Sequence, residues 1–248
     1  MEGKTETTIA AAWPDAVGFV LAGGQSSRMG EDKALVRFAG RPLVERALGI
    51  LRGAGLTASI AGARTASAMP ALEAYAPVVA DAEAGLGPLG GICAALAWAG
   101  LASAPLATVG VRWAVFLPVD LPLMPSTLIA FLLDHARITG RAVTLASVNG
   151  FAESFPAVVD RAVLPVLCEE LEAGRGGCFA GFRTACARLN QPMTVLAIEA
   201  VVQAGQIAHA EGLPAVRWFL NVNRPADLSR AEAHVMAHSA AHQRADIA

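Results

Sequence analysis

The run Val17-Gly18-Phe19-Val20-Leu21 carries no charge and reads as a buried strand. The segment directly after it constrains the chain most: Ala22-Gly23-Gly24-Gln25-Ser26-Ser27-Arg28-Met29-Gly30-Glu31-Asp32-Lys33, a glycine-rich turn that also carries two cations. A polyphosphate needs many donors at short range, and a backbone supplies them only where no side chain blocks its approach. Gly23 and Gly24 remove that block and permit positive φ, so that consecutive N–H groups can turn toward one anion. Arg28 adds a planar fork and Lys33 a mobile point charge. Gly-Gly alone marks an ordinary turn. Arg28, Gly30 and Lys33 in the same loop, directly after a first strand, point instead to phosphate binding. No Gly-Lys-Ser/Thr closes the loop, so this is not a P-loop.

At 248 residues the chain fits one large α/β domain or two small ones. Gly40-Arg41-Pro42 opens a helix with Leu43, Val44, Ala47, Leu48 and Leu51 at helical spacing. Thr57 to Ala61 and Pro77 to Ala80 read as strands, and the second delivers Asp81 to its carboxyl end. In doubly wound sheets ligands bind beyond those ends, so Asp81 either faces a site or caps a helix. Gly85-x-Gly87-x-x-Gly90 satisfies the dinucleotide fingerprint, but positions 92 to 111 offer no acidic residue for a ribose, which argues against that reading. A small-residue helix continues through Ile92 to Ala99, and Leu101 to Val111 is a loose connection.

The next strand, Trp113 to Val119, ends abruptly on Asp120. Burying that carboxylate unpaired would cost several kcal/mol, so it needs a counter-ion. Mg²⁺ is one answer, because it takes carboxylate and phosphate oxygens together. A salt bridge or a helix cap is the other. Beyond it, Ser126 or a neighbour caps a helix through about His135, and Ala142 to Ser147 forms a strand. Phe151 to Val159 reads as one further strand that can offer substrate contacts, with Glu153 either facing a substrate pocket or, as the default, in a solvated loop, and Arg161 to Glu172 as a helix. Gly174-Arg175-Gly176-Gly177 is a flexible turn, with Arg175 either near a second phosphate or in an ordinary connection. Met193 to Ile198 is a strand, and 199 to 214 an extra surface segment without a clear period. Trp218 to Leu228 closes the chain as a strand and turn, with Asn221 and Asn223 alternating to one face. His234, His238 and His242 share one helix face, for which a solvated surface is the default over a metal site.

Composition excludes several classes. A net charge of −2 with scattered cations leaves no footprint for nucleic acid. Four cysteines without a C-x-x-C pair suggest reduced thiols and a cytoplasmic setting. Residues 84 to 111 are uncharged and long enough to cross a bilayer, but six glycines and two prolines break the run into soluble-sized pieces. Residues 1 to 16 read as a flexible tail.

The pattern Leu21-Ala22-Gly23-Gly24-x-Ser26-x-Arg28-Met29-Gly30-x-Asp32-Lys33 resembles the signature of the molybdenum cofactor guanylyltransferase (MobA-like) nucleotidyltransferases. The resemblance covers about residues 17 to 135 and 217 to 235. It implies a nucleotide-diphospho-sugar transferase fold: one three-layer α/β/α domain with a mostly parallel, mixed sheet. That domain would span 17 to 235, with a nucleotide half at 17 to 135, an acceptor half at 136 to 235, and a tail at 236 to 248. It implies transfer of GMP from GTP to the phosphate of molybdenum-bearing molybdopterin, with pyrophosphate leaving. Leu21, Ala22, Gly23, Gly24, Lys33, Asp81, Gly87 and Asp120 would then contact the nucleotide, and Arg28 and Lys33 would offset the charge that builds on pyrophosphate. Asp120 would hold Mg²⁺, and Asp81, in an Asp…Gly-Pro-Leu-x-Gly segment, would accept hydrogen bonds from guanine. A molybdoenzyme or another cofactor-biosynthesis protein is the partner implied, with neither nucleic acid nor membrane. Two departures stand out. Relatives carry an asparagine near the end of the second strand, where this chain has Ile60-Ala61-Gly62-Ala63-Arg64, and their Glu-Pro-Leu appears only as Ala152-Glu153-Ser154-Phe155-Pro156. The alternatives are a cytidylyl- or sugar-phosphate nucleotidyltransferase of the same fold, or a non-catalytic nucleotide-binding accessory protein.

Overall fold

The computed structural model describes residues 12–23, 32–63, 69–81, 86–101 and 110–234. The glycine-rich loop from 24 to 31, with Gly24 and Arg28, lies outside them. So do residues 1–11 of the expected N-terminal tail, and the C-terminal positions that include His238 and His242.

The first strand, β1 (Ala16–Leu21), is buried along its whole length. Arg37–Phe38 (β2) and Arg41–Pro42 (β3) form a small hairpin that leads into α1 (Leu43–Gly53). Then come β4 (Thr57–Ala63), α2 (Met69–Glu73), β5 (Val78–Ala80) and α3 (Gly87–Ala99), followed by β6 (Trp113–Pro118) and α4 (Ser126–Thr139). The second part contains β7 (Val143–Val148), β8 (Phe151–Ala152), β9 (Ala157–Asp160), α5 (Leu164–Glu172), α6 (Cys178–Arg188), β10 (Thr194–Ala197), α7 (Ile198–Gln203) and α8 (Ala215–Trp218). A last helix begins at 225.

The main sheet runs β10-β7-β9-β6-β1-β4-β5, with β8 paired to β7. The β1, β4, β5 and β6 strands are parallel, and β9 is antiparallel to both β6 and β7. Alternation along the central strands feeds two cores. Val17, Phe19, Leu21, Ala114 and Phe116 face α3, α5 and α6, while Val20, Trp113, Val115 and Leu117 face α1 and α4. Phe19 and Phe116 stack at 5.6 Å on neighbouring strands. The result is the three-layer, mixed but mostly parallel sheet expected from the sequence.

Several expectations need correction. Phe151 to Val159 is not one continuous strand: β8 and β9 both pair antiparallel with β7, but the register slips between them, and β9 pairs with β6 as well. The α4 helix starts behind Pro125 with no side-chain cap at its N-terminus. Residues 12 to 16 are not loose tail. The Trp13 indole donates to the Ala54 carbonyl at 2.8 Å, and Ala16 is already in β1. The 199–214 stretch is not a surface addition, since Ile207 and Leu213 are buried and Trp218 Nε1 donates to Leu213 O at 2.8 Å. Trp218 itself ends α8, and the expected closing strand is an irregular run that bonds to the Asp120 loop instead. Among the described residues no helix is long and apolar enough to cross a membrane.

All four cysteines are free. Burial, with Cys168 hydrogen-bonded beside it, pushes the Cys93 thiol up to about 12, and burial pushes Cys178 and Cys186 up to about 11. These three stay protonated, and so unreactive, well above neutral pH. Alkylation of the native protein near pH 8, read by mass spectrometry, is therefore expected at the half-buried Cys168, with the other three labelled only after denaturation. Rapid native labelling of all four would contradict this.

Candidate active site

The order of the sheet reverses around β1: the chain moves outward to β4 and β5, then returns to lay β6 on the other side. Ligands bind at such a switch point, in the crevice beyond the carboxyl ends of the strands. A cleft of about 360 Å³ opens there, lined by Leu21, Ala22 and Gly23 after β1 and by Val119, Asp120 and Leu121 after β6. Its remaining walls include Lys33, Pro88, the segment from Glu153 to Phe155, and Asn221 and Asn223.

Lys33 is the hub. Its Nζ lies 3.0 Å from Asp120 Oδ2 and donates to Asn223 Oδ1 at 2.6 Å. Local structure aims it: Asp32 accepts from the Ala34 N–H at 3.0 Å and starts a single 3₁₀ turn, Lys33–Leu35. Asp120 is fixed by the end of β6, and its carbonyl accepts from Val222 N at 2.9 Å, which brings the Asn221–Asn223 run over the cleft. Asp227 accepts from the N–H groups of Asn223 and Arg224 at 3.2 and 3.0 Å and caps the last helix. The counter-ion that burial of Asp120 called for is thus Lys33. Both side chains are partly exposed, 17% and 23%, so the pair is open to a ligand on the cleft side.

Gly23 and Gly62 make the floor. A Cβ on Gly23 would sit 2.5 Å from the Gly62 carbonyl oxygen, closer than any real Cβ contact. Gly62 has φ +82° and forms a bulge between β4 and β5, a conformation in which an L side chain is strained. Here two backbones touch, and the chain after β1 keeps its main-chain surface bare.

Comparison with known proteins gives this geometry a family. Residues 18–191 match the MobA-like NTP transferase domain. The chain belongs to that family. Among its relatives, a molybdenum cofactor guanylyltransferase of Xanthomonas euvesicatoria is 40% identical over 116 residues, 47% of this chain and 52% of that protein. One of Pseudomonas putida is 35% identical over 158 residues, 62% of this chain and 75% of that protein. The chain spans from about half to under two thirds of the length of the first relatives it matches, 52% to 63%. A crystal structure of the molybdopterin-guanine dinucleotide biosynthesis protein A of Archaeoglobus fulgidus superposes with a TM-score of 0.68, at 19% identity, over 89% of this chain and 98% of that one. That likeness concerns the fold.

Within this MobA-like NTP transferase domain, the cleft unites Leu21, Ala22, Gly23, Lys33 and Asp120. Asp81 lies to one side, after β5, and is not among the cleft-lining residues. Its Oδ1 faces Gly62 and Gly91, where added Cβ atoms would stand 3.9 and 3.3 Å away. Gly87 is exposed at the start of α3, and it is its neighbour Pro88 that reaches the cleft. Arg175 makes two hydrogen bonds to Glu170, at 2.8 and 2.7 Å, which accounts for its charge without a second phosphate. His234 meets Arg217 at 2.9 Å. Sequence reasoning undervalued Glu153, Ser154 and Phe155, which line the cleft although Glu153 read as solvated loop. The signal for them was the Asn149-Gly150 hairpin turn, which folds the segment back along β7.

Proposed function

We propose that this chain transfers GMP from GTP to the terminal phosphate of a molybdopterin-type acceptor and releases pyrophosphate. The observation that carries this reading is the meeting of Lys33, Asp120 and Asn223, from three distant stretches, over a bare Gly23 backbone at the switch point of the sheet. The names of the relatives supply the acceptor class.

The acceptor phosphate attacks the α-phosphorus in line, and the bond to the β-phosphate oxygen breaks. The attacking oxygen is already ionised, so no general base is required. Positioning and charge neutralisation carry the rate. The backbone amides of Gly23 and Gly24 cradle phosphate oxygens. Lys33 swings between Asp120 and the phosphates, and together with Arg28 balances the charge that builds on the leaving pyrophosphate. Asn223 keeps the Lys33 ammonium within reach of the cleft. Asp81, at the edge of the site, accepts from the N1–H and N2–H edge of guanine, a donor pair that adenine lacks.

Mg²⁺ fits the donor set. Among the described residues no group of three or more His, Cys, Asp or Glu could hold an ion. The Asp120 carboxylate at the cleft wall is the donor that suits it, since this cation takes one or two carboxylates and completes its shell with phosphate oxygens and water. Asp120 would hold it, and when bound it supplies further neutralisation of the triphosphate. The nucleotide half is 17–135 and the acceptor half 136–235. The cell compartment is the cytoplasm, consistent with free thiols.

The stretch Ile60-Ala61-Gly62-Ala63-Arg64, which lacks the asparagine of relatives, favours one second reading: the same chemistry with CTP. Thermal unfolding with each nucleotide, with and without Mg²⁺, separates the two. A nucleotide at a hundred times its dissociation constant adds about 2.7 kcal/mol of stability. GTP with Mg²⁺ is expected to raise Tm most. A larger shift with CTP selects the second reading, and no shift with any nucleotide leaves only an accessory role.

A further inference from the structure

We propose that Phe151 and Glu153 form a subsite for the planar heterocycle of the acceptor, Phe151 as a stacking platform and Glu153 as a reader of the ring's N–H edge. The inference rests on the acceptor class proposed above and names the residues that select it.

Phe151 is 75% exposed, whereas the other phenylalanines and tryptophans among the described residues are buried or half-buried. It is held rigidly. Asn149 and Gly150, with φ of 52° and 77°, form the turn between β7 and β8, and Val148 pairs with Phe151 and Ser147 with Ala152. The ladder continues one step further, because Glu153 N donates to Ala146 O at 2.9 Å. The Asn149 N–H is anchored in turn on Glu199 Oε1 at 2.5 Å. Residues 151 to 153 are therefore extended, and alternate side chains project from the same face, spaced by about 6–7 Å. Glu153 lines the cleft that holds Lys33 and Asp120, and Phe151, two residues before it on the same face of the extended segment, lies just outside the cleft-lining residues.

Charge decides what Glu153 is for. A carboxylate repels phosphate, so its place in a phosphate-binding cleft calls for a donor-rich partner. A pterin presents a flat π face and, along its 2-amino-4-oxo edge, two adjacent N–H donors that one carboxylate accepts together. Stacked on Phe151 with that edge on Glu153, the ring directs its phosphate arm inward toward Lys33. Stacking on one aromatic side chain tolerates substituents on the ring, whereas the paired hydrogen bonds select the heterocycle.

The test is direct binding of a phosphorylated pterin to the full chain, followed by quenching of pterin fluorescence. Phe151→Ala is expected to weaken binding about tenfold, and Phe151→Trp to preserve it. Glu153→Gln should weaken the pterin while leaving stabilisation by GTP and Mg²⁺ unchanged. The Phe151 side chain is exposed, so the variants keep the wild-type Tm. Equal pterin affinity in wild type and Phe151→Ala, or no binding by wild type, overturns the proposal. A changed Mg²⁺ requirement in Glu153→Gln overturns the role given to that carboxylate. Protection by GTP is measured on the same samples. Its absence with pterin binding intact counts against nucleotidyl transfer and leaves the subsite standing, and the converse counts against the subsite alone.

Discussion

On the function proposed above, Lys33→Ala is expected to lower the turnover of nucleotidyl transfer about 100- to 1,000-fold, the usual cost of removing one preorganised group that meets developing charge. Its Nζ is held between Asp120 Oδ2 and Asn223 Oδ1 at 3.0 and 2.6 Å, so it sits aimed at the cleft before any ligand arrives. Removal deletes a cation and also leaves the Asp120 carboxylate facing the phosphates without that counter-charge. The stability change should be small, about 1 kcal/mol, because both partners are partly solvated. Asn223→Ala is the informative contrast: the cation survives but loses a fixed partner, so turnover should fall by much less. Pyrophosphate release under saturating GTP measures both. Retention of wild-type turnover by Lys33→Ala would remove Lys33 from the mechanism.

Gly23→Ala should be among the most damaging single-methyl substitutions at the described residues, because the atom its Cβ would meet is backbone. The new Cβ would lie 2.5 Å from the Gly62 carbonyl oxygen, and neither backbone can yield cheaply. Leu21 is in register with Ala61, and the Ala22 N–H donates to Ala61 O at 2.9 Å. Relief must therefore come from pulling the end of β1 away from β4. Overpacking of this kind costs about 1–3 kcal/mol, and in a chain of this size each kcal/mol lowers Tm by about 2–4 °C. The same displacement moves the phosphate-binding backbone, so stabilisation by GTP should be lost as well. Gly140→Ala, at the end of α4, provides the control. Gly140 has positive φ, +65°, but a Cβ there meets nothing within 4 Å. It should cost only the left-handed strain, about 1–2 kcal/mol, and leave the nucleotide shift in place. A Gly23→Ala protein with wild-type Tm and an intact GTP shift would refute the account.

The part of the sheet around β1 was legible because its signals are local. The apolar run from Val17 to Leu21 specifies a strand by itself, and an apolar strand ending on Asp120 announces a charge that needs a partner. Which partner was not legible. Lys33 and Asp120 are 87 positions apart, and only the adjacency of β1 and β6 joins them. The second part was harder for a different reason. β9 is buried between β6 and β7 and carries Ala157-Val158-Val159, which continues the apolar character of Phe155-Pro156, so composition gives no boundary between it and β8. The stretch from 199 to 214 hides its few core residues among small and polar ones, and spacing alone does not reveal Ile207 and Leu213 as buried. Asn221 and Asn223 looked like strand residues because they alternate. Their register is set instead by one hydrogen bond from Val222 to the Asp120 carbonyl.

That hydrogen bond and the contact of Asn223 with Lys33, 190 positions away, tie the cleft to the packing beneath it. Val222, between the two asparagines, is fully buried in the same core as Trp218 and Phe219. The ammonium of Lys33 is therefore steadied by a run that hydrophobic packing anchors, and a core substitution under that run would disturb the cleft as well as lower Tm.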